Sequence, residues 1–185
     1  MALTTGLRRG ELLASKWDHI DWNKRQYHVR ETISMPRKKD GPLFGEPKTA
    51  ESRNAVDLTP TLVGAFQELR HQQAGEKLKA GAEYRNFGLI FCQPNGMPFD
   101  PDNLVKRVFR PALVAAGIRS SLRFHDLRHT CAALLIAQGE SPKYIQRQMR
   151  HASITTTLNV YGHLMPEVHH EAGERMDNVL FGASA

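Results

Sequence analysis

The four residues Gly139-Glu140-Ser141-Pro142 constrain this chain more than any others, because they end one helix and begin the next within a single short turn. Glycine readily takes the left-handed conformation that closes a helix, serine accepts from the first N–H groups of a new one, and proline fits its first position. Asp126 to Gln138 is therefore expected to be helical, with Leu127, Leu134, Leu135 and the neighbouring alanines buried. A second helix starts at Pro142 and carries Ile145 and Met149 inward. The β-branched run Ile154-Thr155-Thr156-Thr157 is a poor helix former, so the segment leading to Tyr161 is expected to be short or irregular.

The N-terminal half alternates between periodicities. Leu7, Leu12 and Trp17 fall near one face of a short amphipathic helix, with Arg8 in its first turn. Ile20 to Ile33 is richer in aromatic and β-branched residues around a polar Asn23-Lys24-Arg25 turn, the pattern of a hairpin. Met35 to Arg53 is basic and rich in Gly and Pro, and leads into a strand over Asn54 to Leu58. Two readings of that stretch stand: a solvated connector, or a basic flap over a ligand that carries Lys48. Thr59-Pro60 opens a helix with Leu62, Val63, Phe66 and Leu69 on one stripe, fading into the polar stretch His71 to Gly81. Leu89 to Cys92 reads as a strand, and a helix from about Asp102 places Leu104, Val105 and Val108 inward, with Pro111 kinking it. Its other side carries Lys106, Arg107 and Arg110, either a solvated face or one turned to DNA. Pro166 to Phe181 spaces Val168, Ala172, Met176, Val179 and Leu180 as the stripe of a C-terminal amphipathic helix.

A chain of 185 residues, 41% of them apolar, suffices for one packed domain. The expected architecture is α+β and mainly helical, with a small antiparallel β-sheet at one edge, over residues 1–165, followed by a helical tail over 166–185. Lys and Arg outnumber Asp and Glu by 25 to 19, a balance that favours a polyanionic partner. Cys92 and Cys131 show neither disulfide nor zinc spacing, so a reducing cytoplasm is the expected compartment, and no segment has the length of apolar sequence that a membrane span needs.

Chemistry concentrates between Phe124 and Tyr161, in F-H-D-L-R-H-T and R-H-A-S-I-T-T-T-L-N-V-Y-G-H. His125 and Arg128, three apart at the start of a helix, project from one face. Arg8 fits the start of another. Two guanidiniums suit the two non-bridging oxygens of a phosphodiester, His125 and His151 supply hydrogen bonds or move protons near neutrality, and a deprotonated Tyr161 can attack phosphorus. Lys48 is a candidate acid for the departing sugar oxygen. Singly, each of these residues is as well explained by a cap, a surface pair or a packed ring.

Jointly they resemble a known family, the tyrosine recombinases or phage-type integrases, in their C-terminal catalytic domain. T-T-G-L-R-R-G-E-L-L-A-S-K-W-D-H-I-D is similar to that family's first arginine box, P-K-T-A-E-S-R-N-A-V-D-L to its lysine hairpin, F-H-D-L-R-H-T to its HxLR box, and the stretch from Arg150 to His163 to its histidine and tyrosine box. The boxes stand in the family's order. The resemblance implies that Arg8 and Arg128 bind the scissile phosphate, Lys48 protonates the leaving 5′ oxygen, and His125 transfers a proton or contacts phosphate. It also makes His151 a phosphate contact, Glu11 the acid that holds Arg8, and Tyr161 the nucleophile of a 3′-phosphotyrosine. It implies duplex DNA as partner, a homotetramer at work, no cofactor and no metal. Residues 166–181 would then dock on a neighbouring subunit, with packing in cis as the rival arrangement. Two departures follow. Arg150 stands where the family usually has glycine, adding charge and bulk beside His151. The family's first catalytic helices and its DNA-clamping domain are not in this sequence, so the expectation is of an N-terminally truncated domain. Two further functions share the pattern: type IB topoisomerase-like nicking and closing, and DNA binding without catalysis, since the two helices about Gly139 superficially resemble a helix-turn-helix.

Overall fold

The computed structural model describes residues 1–34, 43–47, 53–165 and 169–182. Helices α1 (Ala2–Thr5) and α2 (Arg9–Leu13) open the chain. The single helix expected from Leu7 to Trp17 is thus a shorter one, because Gly6 takes a left-handed turn (φ 63) that closes α1 and Arg8 becomes the extended residue in front of α2. A side chain at Gly6 would collide with Met149, so this turn also fixes how closely the N-terminus meets the later helices.

The hairpin is β1 (Ile20–Asp21) and β2 (Gln26–His28), with Tyr27 opposite Ile20. The expected strand near residue 55 is β5 (Ala55–Asp57), which pairs antiparallel with β2 in the order β1-β2-β5. Between them β3 (Thr32–Ser34) and β4 (Leu43–Gly45) form a separate two-stranded sheet, so the single expected sheet is two small ones. Gly10 lets α2 lie directly on β3, since a Cβ there would meet the Ile33 carbonyl oxygen at 2.8 Å.

Helix α3 (Pro60–Ala80) begins as expected, with Thr59 capping Leu62 N and Pro60 at the first position. It does not fade at His71. The Gln73 amide is buried, accepting from Trp17 Nε1 at 2.9 Å and donating to the Ile90 carbonyl at 2.8 Å, so a polar residue anchors the second half of the helix. Leu89 and Cys92 make isolated bridges to Lys16 and Pro98 rather than a strand.

Helices α4 (Pro101–Leu104) and α5 (Arg110–Ala115) are joined by a wider helical turn over Val105–Phe109, just ahead of Pro111, whose missing N–H rules out regular α-helical bonding there. Val108, expected inward, is exposed. Helix α6 (Asp126–Ala137), the Gly139 turn (φ 79) and α7 (Pro142–Met149), with Ser141 accepting from Tyr144 N, match the expectation, although Leu134 faces outward. The β-branched run after Ser153 forms a regular two-turn helix, α8 (Ile154–Tyr161), because Ser153 caps it and Thr157 finds a polar partner in the interior. Helix α9 (His169–Phe181) follows, with Met176, Val179, Leu180 and Phe181 exposed.

Among the described residues two apolar cores result. The larger joins α1 and α2 to the sheets and α3 through residues such as Leu13, Tyr27, Val56 and Phe66. The smaller consists of Cys131, Ala132, Ile136, Ile145, Met149 and Tyr161, between α6, α7 and α8. Gln148 bridges them: its side chain accepts from Asp57 N at 3.0 Å and donates to Asp57 O at 3.2 Å, covering the edge of β5.

Candidate active site

Arg8 and Glu11 are positioned by the start of α2. The Glu11 carboxylate accepts from the Arg8 backbone N–H at 2.9 Å and from Arg8 Nη1 at 2.8 Å. The Arg8 side chain is 42% exposed, whereas that of Glu11 is 4% exposed. One turn of helix thereby supports an arginine whose tip reaches the surface from a buried carboxylate. Burial alone would raise the Glu11 carboxyl, but the charge of Arg150 and the hydrogen bonds from Arg8 outweigh it and hold it below the usual carboxylate range.

Arg150 is the second guanidinium on that carboxylate. The residue closes α7 in the left-handed conformation (φ 54, ψ 48), where glycine is the easiest fit. An arginine is accommodated because its side chain lies in the interior, where it is fully buried and donates to Glu11 and to the Gln148 carbonyl. The bulk expected beside His151 is thus accommodated in the interior, while the charge still acts on His151. Burial lowers the Arg150 guanidinium from its ordinary value, against the pull of Glu11.

Arg128 lies in the first turn of α6 and is also buried. One terminal nitrogen donates to the Gly6 carbonyl and the other to that of Met149, which ties α6 to the N-terminal turn and to the end of α7. Each of these nitrogens carries a second N–H. Burial, with Arg8 and Arg150 nearby, brings the group down to about 10, still well above neutrality.

Three histidines and Tyr161 stand beside this charge. The His125 and His129 rings, one helical turn apart, meet edge to face at 5.1 Å between centroids. His129 Nδ1 shares a 2.9 Å hydrogen bond with Tyr161 Oη. The His151 ring stacks with the phenol at 6.3 Å between centroids and 12°, and its Nδ1 is bonded to Thr157 Oγ1 at 2.9 Å. Burial, reinforced by the positive charges of Arg128, Arg8 and Arg150, pushes His151 down to about 4, so it is neutral under ordinary conditions. Burial and the neighbouring His129 and Arg128 lower His125 too, and burial raises the Tyr161 phenol against the opposing charge of Arg128. A cleft of about 500 Å³ opens next to these groups, lined by Arg9, Arg110, Ser121, Arg123, Phe124 and His125.

Of the residues singled out in the sequence, Arg8, Glu11, Arg128, His125, His151 and Tyr161 thus belong to one contiguous network of bonds, stacked rings and mutual electrostatic effects. Lys48 lies outside the described residues. Lys106, Arg107 and Arg110 are exposed, and Arg110 lines the cleft. His129 was passed over, although it stands inside the F-H-D-L-R-H-T box. Its spacing of four from His125, which puts both rings on one helix face, is the signal that marks it.

Mainly helical, with small antiparallel sheets and a tyrosine buried beside arginines and histidines, the molecule has the fold of the tyrosine recombinase catalytic domain. It superposes on a Tn1549 transposon integrase in complex with circular intermediate DNA with a TM-score of 0.71 and 25% identity, over 95% of this chain and 57% of that one. The XerA recombinase follows with 0.66 and 23%, over 95% and 55%. The chain itself belongs to the phage integrase family, whose model matches residues 1–167. A tyrosine recombinase XerC-like protein of Caldanaerobacter subterraneus subsp. tengcongensis is 33% identical over 97% of this chain and 48% of its own length. The ICEBs1 integrase of Bacillus subtilis is 31% identical over 97% and 48%. The chain spans about half the length of these curated relatives. Among the described residues no helix is long and apolar enough to cross a membrane.

Proposed function

We propose that this chain is the catalytic part of a site-specific DNA recombinase that cleaves and rejoins duplex DNA through a 3′-phosphotyrosine at Tyr161. The observation that carries this reading is the placement of the Tyr161 hydroxyl, hydrogen-bonded to His129 and stacked on His151, under the charge of a buried Arg128. Family membership, and the Tn1549 integrase solved with DNA, support it.

In this reading Arg8 and Arg128 hold the non-bridging oxygens of the scissile phosphate. Glu11 keeps Arg8 in place, neutral His151 contacts phosphate, and His125 contacts phosphate or passes a proton. Lys48 protonates the leaving 5′ oxygen. The phosphotyrosine conserves the energy of the broken diester, so rejoining needs neither ATP nor a divalent metal. The basic cleft around Arg9, Arg110 and Arg123 tracks the DNA backbone. Residues 1–165 form the catalytic unit, and the exposed apolar residues of α9 dock on a neighbouring subunit within a tetramer assembled on DNA in the cytoplasm.

The test is trapping. Incubated in EDTA with a pool of nicked duplexes of randomised sequence, the chain forms an adduct that survives denaturing electrophoresis, and Tyr161→Phe forms none. An undiminished adduct in Tyr161→Phe would sink the assignment. Relaxation of supercoiled plasmid with no exchange between two duplexes would point instead to nicking and closing alone.

A further inference from the structure

Tyr161 has to lose its proton before or as it attacks, and nothing in its packing makes that easy. The residue is buried, and burial holds the phenol above its ordinary value despite the opposing effect of Arg128. A base in contact with Oη is needed near neutral pH. His151 lies against the ring face, but its Nδ1 is committed to Thr157. His125 packs on His129 rather than on the phenol. The imidazole that meets the hydroxyl is that of His129, 2.9 Å away.

We propose that His129 is a catalytic residue, the general base that takes the Tyr161 proton during strand cleavage and returns it on rejoining; this rests on the recombinase reading above. As the Oη–H bond breaks, its proton passes to His129 Nδ1 and Oη forms a bond to phosphorus. The P–O5′ bond breaks with its electron pair going to O5′, which takes a proton from the acid assigned to Lys48. The role requires the neutral tautomer with its proton on Nε2, leaving Nδ1 to accept. The groups that bear on this imidazole are His125, the N-cap residue of α6, Asp126 in its first turn, His151 just beyond α7 and Tyr161 at the end of α8, with Arg128 the preceding residue. Asp126 is itself held by Arg123 at 2.9 Å, so its carboxylate is fixed on the helix turn that carries His129.

Single-turnover adduct formation on nicked duplex separates this base from a structural prop. His129→Gln keeps a hydrogen-bonding side chain but cannot take a proton, and the expected loss of rate is about 100-fold. The rate of the variant then climbs with pH where that of the wild type is flat. A fluorinated tyrosine at position 161, whose phenol ionises more readily, recovers at least about tenfold in His129→Gln while changing the wild-type rate little, because a better nucleophilic phenol depends less on its base. A His129→Gln rate equal to that of the wild type, or a loss that neither alkaline pH nor the fluorinated phenol restores, overturns the proposal while leaving the recombinase reading intact. A wild-type chain that forms no adduct overturns both.

Discussion

The arginine side of the site and its tyrosine side are built on opposite principles. Arg8, Arg128 and Arg150 are bonded through Glu11 and the carbonyls of Gly6, Gln148 and Met149, so charged hydrogen bonds link α1, α2, α6 and α7. On the tyrosine side, His125, His129, His151 and Tyr161 rest on one another through ring contacts and single hydrogen bonds, beside the smaller core to which Tyr161 itself belongs. Burial therefore acts differently on the two. On the arginine side it makes each ion pair indispensable, because removing one partner strands a charge out of water. On the tyrosine side it sets protonation, keeping His151 neutral and the phenol protonated until a base intervenes. Substitutions should accordingly cost stability chiefly on the first side, with chemistry lost as well at the phosphate-binding Arg8 and Arg128, and chemistry chiefly on the second.

The largest effect is expected at Glu11. Glu11→Gln preserves shape but leaves Arg150 buried and without a counter-charge, at a cost of roughly 3–5 kcal/mol, or about 6–20 °C in Tm for a domain of this size. Urea denaturation with and without the substitution measures it. A loss below about 1 kcal/mol would break the contrast, because it would mean that the arginines do not depend on their carboxylate.

Arg150 tests the same idea with two opposing terms. Arg150→Gly relieves a left-handed arginine, gaining about 1 kcal/mol, but it removes a fully buried ion pair and leaves a void. Since Arg8 still neutralises Glu11, the net loss expected is about 2 kcal/mol. Arg150→Met fills the void without relieving the backbone and should differ from Arg150→Gly by about 1 kcal/mol or less. A Gly variant more stable than the parent chain would show that the pair and the filled volume contribute less than the about 1 kcal/mol gained by relieving the backbone.

Arg150 also shows where reading residues in order reaches its limit. Local signals that act within one turn were visible in the chain: Ser141-Pro142, Thr59-Pro60 and Gly139 mark helix ends, and the real helices obey them. The boxes around Arg8, Arg128, His151 and Tyr161 were visible through likeness to a family, and those residues do come together. What could not be read were partners distant in sequence. Arg150 reads in the sequence as added charge and bulk beside His151, because its partner Glu11 lies 139 positions away. The second half of α3 looked like a fading polar end until Gln73 met Trp17 and Ile90. Val108 and Leu134 were placed inward by periodicity alone, but which stripe of a helix is covered depends on what packs there. His129 was overlooked because its partner, Tyr161, arrives on another helix.

The smallest expected effect separates the two sides by pH. His151 ionises near 6.5 in the unfolded chain and near 4 in the folded one, so as pH falls through this window the unfolded state takes up the proton first and stability declines. Below about pH 4 both states are protonated and the loss is complete. Discounted for the part of the ring that water still reaches, the decline is about 1 kcal/mol. His19 and His125, also lowered by burial, act in the same direction, so the contribution of His151 is the part of the slope that His151→Gln removes. Glu11 behaves as the mirror case. Its folded value is depressed, so its stabilisation is present above the ordinary carboxylate range and is lost only as pH falls below it. The tyrosine side should therefore soften first, between about pH 6.5 and 4, and the arginine side only in stronger acid. Stability measured across that range in the parent chain and in His151→Gln and Glu11→Gln resolves the two. If His151→Gln left the slope between pH 6.5 and 4 unchanged, His151 would not be held neutral by burial, and the contrast between a side governed by ion pairs and a side governed by protonation would fail.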